Sequence, residues 1–518
     1  MNREKTSLIL ILLISSIIVF SLSFNKKPLS HLHSWNQITT LTHIKYLANG
    51  LVSWTQPLDT ITRISSHPEI KKIEIKEPFS DFRIYEEFPL YHVISALTSI
   101  ILNLQPENAG RIISILCFIL GGFGLFKLCK VFSPLKTYSQ ESLYSLLLWS
   151  SSYPITYYGS AIMSDIMMTA FMIWSAYFFI LFNQFKKTST LITGLLIASL
   201  ASLSKSYGIL AVLPYILLPF IQKAKPPNQK IKKSYVILLI LSILPVIVWH
   251  SWTLQQAGAQ EVFSHSLSQK LNAISSPGFI LSLQKYFFRY LSYLPGVVFL
   301  YYSVIKYGSI KSIKNEIFVL LLSWIIGCIC YLIFTADKIE DHDYYLLPLS
   351  PGLFLIAGFG IKHVREKIAE KTNKTLLISA ITALIYLSPA PINLTNLIKA
   401  LKENPDVIPC AELLKENVPG RDLSGILTDS GRFNSITYYG ERFGLKIENT
   451  EFPVSHYMPY GIKWLLINLP EEEYAKLSLW VQKQPEIGEE GLRKLLSLYD
   501  SKKRSRTCAL FSLKENEK

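Results

Sequence analysis

The chain is divided along most of its length by apolar segments too long and too poor in charge to be the inner face of a soluble domain. They run over Thr6 to Phe24, then approximately over 109–130, 138–158, 165–184, 189–205, 208–222, 235–253, 287–305, 316–335, 344–361 and 374–393. A helix needs roughly 17 to 25 mostly apolar residues to cross hydrocarbon. Only backbones that satisfy their own polar groups survive there. The pattern predicts an α-helical polytopic membrane protein with about 11 to 13 spans plus juxtamembrane helices.

Composition agrees. Half of the 518 residues are hydrophobic and 17% are charged, which few soluble domains tolerate. The formal net charge of +15 would suit nucleic acid. The basic residues, however, sit in short runs between apolar segments, as the positive-inside bias produces. Nucleic acid is therefore set aside as a partner. The start, MNREK before an apolar run, resembles a signal peptide, but Asn25, Lys26 and Lys27 follow it and no small-residue cleavage site does. It is read as an uncleaved first span with its amino end inside. Pro89–Leu104 carries His92 and lies near the lower length limit for a span. Read as a juxtamembrane helix, it makes the later loops agree: Lys186 and Lys187, Lys223 to Lys233, Lys306 to Lys314 and Lys362 to Lys374 all fall inside.

The boundary of the membrane domain is placed at 1–395. Residues 396–518 hold 18 of the 37 acidic residues in under a quarter of the chain, and no run long enough to span. Gly425–Asp429, Trp464–Asn468 and Cys508–Leu513 read as short buried strands, and Pro409–Asn417, Glu471–Gln482 and Glu489–Tyr499 as helices. The tail is expected to be a small α/β domain, extracytoplasmic from the odd number of spans. Cys410 and Cys508 lie in it; a disulfide or two free thiols both fit an exported tail. No internal repeat is visible, which weighs lightly against a transporter.

Under this threading five polar motifs reach the same, outer, face: HSWNQ (His33 to Gln37), EEFPLY (Glu86 to Tyr91), Ser164–Asp165, SKSYG (Ser204 to Gly208) and DHDYY (Asp341 to Tyr345). Asp165 opens an apolar helix, where the dipole favours an anion and a buried carboxylate needs a partner or a task; an interfacial helix-start residue is the plainer alternative. Lys205 ends one apolar run on the outer side, against the positive-inside trend; it suits a lipid phosphate, or simple snorkelling. His342 beside Asp343, Tyr344 and Tyr345 suits phosphate contact or proton transfer, although the tyrosines also fit an aromatic belt. Arg289, with Lys285, flanks another outer entry. His33, Trp35 and Gln37 follow the first span. His31 and His33 lack helical ligand spacing, so no metal is expected, and no cofactor. Glu86 and Glu87 are either a helix-start acidic pair or a source of general base.

A sugar carried on a polyprenyl phosphate would use this set. Its lipid tail needs a groove between spans and its phosphate needs cations outside the core. An acceptor hydroxyl attacking the anomeric carbon needs a carboxylate for its proton, and the departing phosphate needs positive charge or donors. Asp165 or Glu87 fits the base, and Lys205 and His342 the leaving group.

The order HSWNQ, EFPLY, IMSDIMM, SLSKSYG, HDYYLLPLSP resembles the bacterial polyprenyl-phosphate-sugar-dependent glycosyltransferases of the GT-C superfamily, relatives of protein mannosyltransferases and lipid A aminoarabinose transferases. The resemblance covers about residues 1–395. It implies a GT-C-like membrane domain with juxtamembrane helices in the first outer loop, in the bacterial inner membrane. It also implies inverting transfer from the lipid-linked sugar to an envelope glycolipid, glycan or protein. Glu87 matches the family's EFP glutamate and Asp165 its second-loop acid. The HSWRQ-like segment departs: its arginine is Asn36 here, and the neighbouring acid is missing. That departure leaves open which carboxylate is the base. The residues and the resemblance together give Asp165 and Glu87 as catalytic candidates, Lys205, His342, Tyr344, Tyr345 and Arg289 as donor-phosphate contacts, and His33, Trp35, Gln37 and Asp343 as substrate contacts. A transporter or flippase for a lipid-linked saccharide is the alternative, as is a non-catalytic partner of the same fold.

Overall fold

In the computed structural model the described residues are 3–24, 33–50, 88–132, 140–221, 229–254, 272–291, 294–307, 315–340, 342–371, 390–400, 407–419, 422–428, 430–447, 462–470 and 506–513. The helices are α1 (Arg3–Ser23), α2 (Ser34–Ala48), α3 (Leu90–Leu102), α4 (Pro106–Phe132), α5 (Gln140–Ser151), α6 (Tyr153–Tyr158), α7 (Asp165–Phe185), α8 (Thr188–Ser204), α9 (Leu213–Ile221), α10 (Gln229–Leu254), α11 (Pro277–Tyr290), α12 (Leu294–Tyr307), α13 (Asn315–Phe334), α14 (Ser350–Lys371), α15 (Ala390–Ala400), α16 (Val407–Asn417) and α17 (Ser430–Gly440). The strands are β1 (Leu423–Leu427), β2 (Phe443–Ile447), β3 (Ile462–Pro470) and β4 (Arg506–Ser512). Two compact units result. The first draws on Met1–Phe24, Tyr85–Ser95 and Asn108–Lys399, the second on Asn25–Ile84, Ala96–Glu107 and Ala400–Lys518.

The first unit is helical. Among the described residues, 5 helical stretches are long and apolar enough to span: Thr6–Ser23, Pro106–Val131, Asp165–Phe185, Tyr235–Trp252 and Asp343–Ile361. Their outward faces are apolar; Ile237, Ile240, Leu241, Leu244 and Val248 of α10 are all exposed. A surface of that kind is at rest in lipid and not in water. The chain is a multi-pass membrane protein.

Several expected spans are divided. The run over 138–158 breaks at Ser152, which is extended (ψ 120), and α6 restarts with Pro154 in its first turn; proline has no N–H to donate, which that position does not need. The run over 208–222 begins as a 3₁₀ turn, Ser206–Val212, before α9. The run over 344–361 begins as another, Asp343–Leu349, with Pro348 inside it. Pro89–Leu104 becomes α3, of 13 residues, about 20 Å long and short of the ~30 Å core.

The second unit is α/β. Its sheet order is β2-β1-β3-β4, with β1 parallel to β2 and β3, and β4 antiparallel to β3. Three strands lie within two residues of the expected ones; β2 and α17 are additional, and the helices expected over Glu471–Gln482 and Glu489–Tyr499 fall outside the described residues. Cys410, Leu414, Phe433, Ile436, Leu466 and Leu510 form the core between the two helices and the sheet. Arg442 donates to the carbonyls of Val418 at 2.5 Å and Lys415 at 2.6 Å, so it satisfies acceptors that the end of α16 leaves open.

This unit also holds α2, whose partner is α17 and its C-terminal end. Lys45 Nζ lies 3.0 Å from Glu441 Oε1, and Lys415 Nζ 3.0 Å from Glu441 Oε2. Lys45 also sits 5.3 Å from the centre of the Tyr438 ring, and the Tyr438 hydroxyl donates to Glu107 at 3.3 Å. Burial, then the adjacent Glu107 carboxylate, pushes the Tyr438 phenol well above its ordinary value.

Two predictions follow from this unit. Lys415 and Lys45 hold the Glu441 carboxyl below its ordinary 4.5. Its contribution is therefore present above the unfolded pKa and lost as pH falls through the lowered folded one, and it is small because Glu441 is 47% exposed. Acidification through that window should lower the protection factors of α2, its amide exchange corrected for the intrinsic rate at each pH, and Glu441→Gln should flatten that profile; an identical profile in the variant would refute it. Cys410 and Cys508 are joined as a disulfide, Cα to Cα 5.4 Å, across a separation of 98. Closing a loop of that size stabilises by roughly 4 to 5 kcal/mol in the chain-entropy picture. Cys410→Ser should make this unit the first cut in limited proteolysis of the whole protein, and an unchanged digest would contradict the link.

Candidate functional site

The site grows from the α7–α8 hairpin. Lys186 takes the left-handed conformation (φ 54) at the end of α7 and reverses the chain. The Ser175 hydroxyl donates to the Gly194 carbonyl at 3.0 Å, and the Tyr215 hydroxyl to the Ser175 carbonyl at 2.9 Å. The first bond registers α7 against α8, so that the start of α7 stands beside the end of α8, and the second ties α9 to α7.

Asp165 is the first residue of α7 and is fully buried. Lys205 leaves α8 in an extended conformation (φ −158, ψ 137) and is 7% exposed. The chain then tightens into the 3₁₀ turn, where the Gly208 N–H donates to the Lys205 carbonyl at 2.8 Å. A Cβ on Gly208 would collide with the Ala201 carbonyl, so only glycine lets the turn close so near α8. This fold-back carries Lys205 Nζ to 2.8 Å from Asp165 Oδ2, while the Tyr207 hydroxyl donates to Asp165 Oδ1. Two motifs 40 residues apart thus meet in one buried ion pair. Both carboxylate oxygens are engaged, and the helix-start dipole adds to their stabilisation.

The Asp343–Leu349 turn brings the third motif. The Tyr344 ring centre lies 4.9 Å from Lys205 Nζ, within cation–π range. His342 stacks on Tyr344 at 5.2 Å, and Tyr345 packs 6.3 Å from Tyr207. Asp343 is 3% exposed; its carboxylate accepts from the Tyr158 hydroxyl and its carbonyl from Tyr290 at 3.1 Å. The Trp324 indole donates to the Pro348 carbonyl and ties the turn to α13. Arg289 sits 5.8 Å from the Tyr153 ring centre, at the break before α6.

The structure thus gathers Asp165, Lys205, Tyr344, Tyr345, His342 and Asp343, with Arg289 on their aromatic margin. His33 and Gln37 are buried on α2 in the second unit, His33 in the left-handed conformation (φ 52) as its N-cap. Glu86, Glu87, Asp341 and the side chain of Trp35 lie outside the described residues. Among the described residues no three His, Cys, Asp or Glu side chains converge as a metal would need. Sequence reasoning missed Tyr207, Tyr158 and Tyr290. Tyr207 lies inside the SKSYG motif, which was the available signal; the other two read as ordinary interfacial aromatics.

A family model described as dolichyl-phosphate-mannose-protein mannosyltransferase matches residues 89–252, the stretch that holds Asp165, Lys205 and Tyr207. AglB from Archaeoglobus fulgidus, solved with an inhibitory peptide and a dolichol-phosphate, is similar in structure with TM-score 0.60 at 12% identity, over 94% of this chain and 72% of that one. ArnT from Cupriavidus metallidurans, bound to undecaprenyl phosphate, is similar with TM-score 0.59 at 10% identity, over 91% and 94%. At these identities the likeness is one of fold: the chain shares the fold of AglB and ArnT. No curated protein matches it in sequence. The structural likeness covers 91% to 94% of this chain, whereas the family model stops before the Asp343–Leu349 turn.

Removing one partner of a buried pair strands the other charge, at a cost of roughly 3 to 5 kcal/mol. Lys205→Ala should therefore lower the melting temperature of the protein in nanodiscs, and the paired change Asp165→Asn with Lys205→Met should recover most of the loss. A Lys205→Ala protein that melts like wild type would remove the pair as a structural element.

Proposed function

We propose that the protein is a glycosyltransferase that moves a sugar from a polyprenyl-phosphate carrier to a cell-envelope glycolipid, glycan or protein, on the outer face of the bacterial inner membrane. The observation that carries the reading is the buried Asp165–Lys205 pair with Tyr207, capped by the Tyr344 ring. It lies in a fold shared with AglB and ArnT, whose structures hold dolichol-phosphate and undecaprenyl phosphate. The tail beyond residue 395 is then extracytoplasmic, where a disulfide between Cys410 and Cys508 persists.

In the reaction the acceptor hydroxyl oxygen forms a bond to the anomeric carbon. The bond from that carbon to the phosphate oxygen breaks, and the polyprenyl phosphate leaves with the electron pair. A single displacement inverts the anomeric configuration. Lys205 is the cation for the phosphate, with His342, Tyr344, Tyr345 and Arg289 as further donors and ring contacts. In the resting site Lys205 and Tyr207 occupy both Asp165 oxygens. A phosphate that draws Lys205 away frees Asp165 Oδ2 to take the acceptor proton, so donor binding generates the base. Glu87 is the second candidate for that proton. Asp343 is the candidate contact for the sugar or acceptor on this side of the pair.

The test is mass spectrometry of envelope glycolipids and glycoproteins from cells with wild-type protein, none, or Asp165→Asn at equal abundance. A sugar-sized mass should vanish in both the deletion and the variant. A mass lost in the deletion alone would shift the base to Glu87, and no change in any sample would overturn the transferase reading.

A further inference from the structure

Asp165 is the first residue of α7. What precedes it is not helix but a short buried connector from α6, Gly159 to Ser164. Ser160, Ala161 and Ile162 in it are fully buried and Met163 is 1% exposed. Such a connector has carbonyls without regular helical partners, and buried carbonyls need donors. Two come from the first turns of α4. Arg111 Nη1 donates to the Ser160 carbonyl at 2.7 Å, and Ser114 Oγ to the Ala161 carbonyl at 2.6 Å. Arg111 is 1% exposed and Ser114 fully buried.

The proton inventory extends this link. A serine hydroxyl has one hydrogen, and Ser114 gives it to Ala161. Its oxygen, 2.8 Å from the Tyr91 hydroxyl, must then accept from Tyr91, whose hydrogen is shared with the Gly110 carbonyl at 2.8 Å. Tyr91 ends the EEFPLY motif and is fully buried. One hydrogen-bonded line therefore runs from the motif that contains Glu87, through α4, to the connector that delivers Asp165.

We propose that Arg111 and Ser114 are positioning residues for Asp165, with Tyr91 tying the EEFPLY segment to the same frame. The proposal rests on the reading of Asp165 as a participant in transfer. The bond that Arg111 Nη1 makes is to the connector, at the Ser160 carbonyl. It fixes the connector, and through it the point at which the Asp165 oxygens meet Lys205 and Tyr207. Lysine at 111 keeps the charge but not the rigid planar fork. A displacement of about 1 Å at a reacting group lowers rate by roughly a hundredfold.

The test compares Arg111→Lys, Ser114→Ala, their combination and Asp165→Asn in the full-length protein. The envelope product per molecule of protein is read by mass spectrometry. Fold is read as melting temperature in nanodiscs. The Asp165 carboxylate band is read by infrared spectroscopy with isotope-labelled aspartate and assigned by its loss in Asp165→Asn. Arg111→Lys should lower product about tenfold or more in protein that still melts in one cooperative transition, and should shift that band. Ser114→Ala should do the same more weakly. The double variant should be less than additive, because both changes loosen one connector. Lost product with an unmoved band would overturn the proposal, since Arg111 would then act by another route. Full product in both single variants would overturn it too, while Asp165→Asn without product would leave the transfer reading standing. Full product in Asp165→Asn would remove Asp165 from the chemistry and the proposal with it.

Discussion

A carboxylate and an ammonium 2.8 Å apart, both nearly sealed from solvent, set the terms for the membrane unit. Neither charge can be left alone there without a cost of several kcal/mol. Their meeting requires three backbone irregularities. Helix α8 must stop at Ser204, Lys205 must extend, and Gly208 must let the next turn pack under Ala201. The connector before Asp165 must be held from outside its own helix, and Arg111 and Ser114 hold it. The Asp343–Leu349 turn then covers the pair with Tyr344. These departures from regular helix cluster where the polar motifs lie, as expected of backbone that lines a polar site within a helical membrane bundle.

The arrangement has a chemical consequence. A carboxylate that accepts from both a lysine and a tyrosine has both oxygens occupied, and a lysine bound to a carboxylate has a donor already committed. Each becomes effective only when the other is given a new partner. On the proposed function, an anionic donor supplies that partner for Lys205, which would couple recognition of the donor to activation of the acceptor within one pair.

The second unit obeys different rules. Its sheet is parallel over β2-β1-β3 and closes with antiparallel β4, and the disulfide joins α16 to β4 across the core. The Lys45–Glu441–Lys415 cluster binds α2, from the first loop, to the C-terminal helices. A cut at residue 395 separates the composition cleanly, yet the compact unit includes segments from both sides of it. Charge pairing between distant segments leaves no trace in local composition, which is why that grouping was not legible.

Much of the rest was legible. Apolar runs report membrane residence directly, because hydrocarbon reads each segment on its own. Three tail strands showed as short apolar runs. Asp165, Lys205 and Tyr344 stood out as polar residues against apolar neighbours. Tyr158 and Tyr290 did not, since a tyrosine at a membrane interface looks the same whether or not it bonds Asp343. Arg111 lies inside the run over 109–130, where no motif marks it. The sequence by itself determined that this chain lives in a membrane, which segments are helical, and which few polar residues had to be accounted for. Only the tertiary structure decided that Lys205 answers Asp165, that Tyr207 completes the pair, and that Arg111 braces the approach. Those choices depend on where helices stop and how the chain folds back, and single turns of backbone, not residue type, set them.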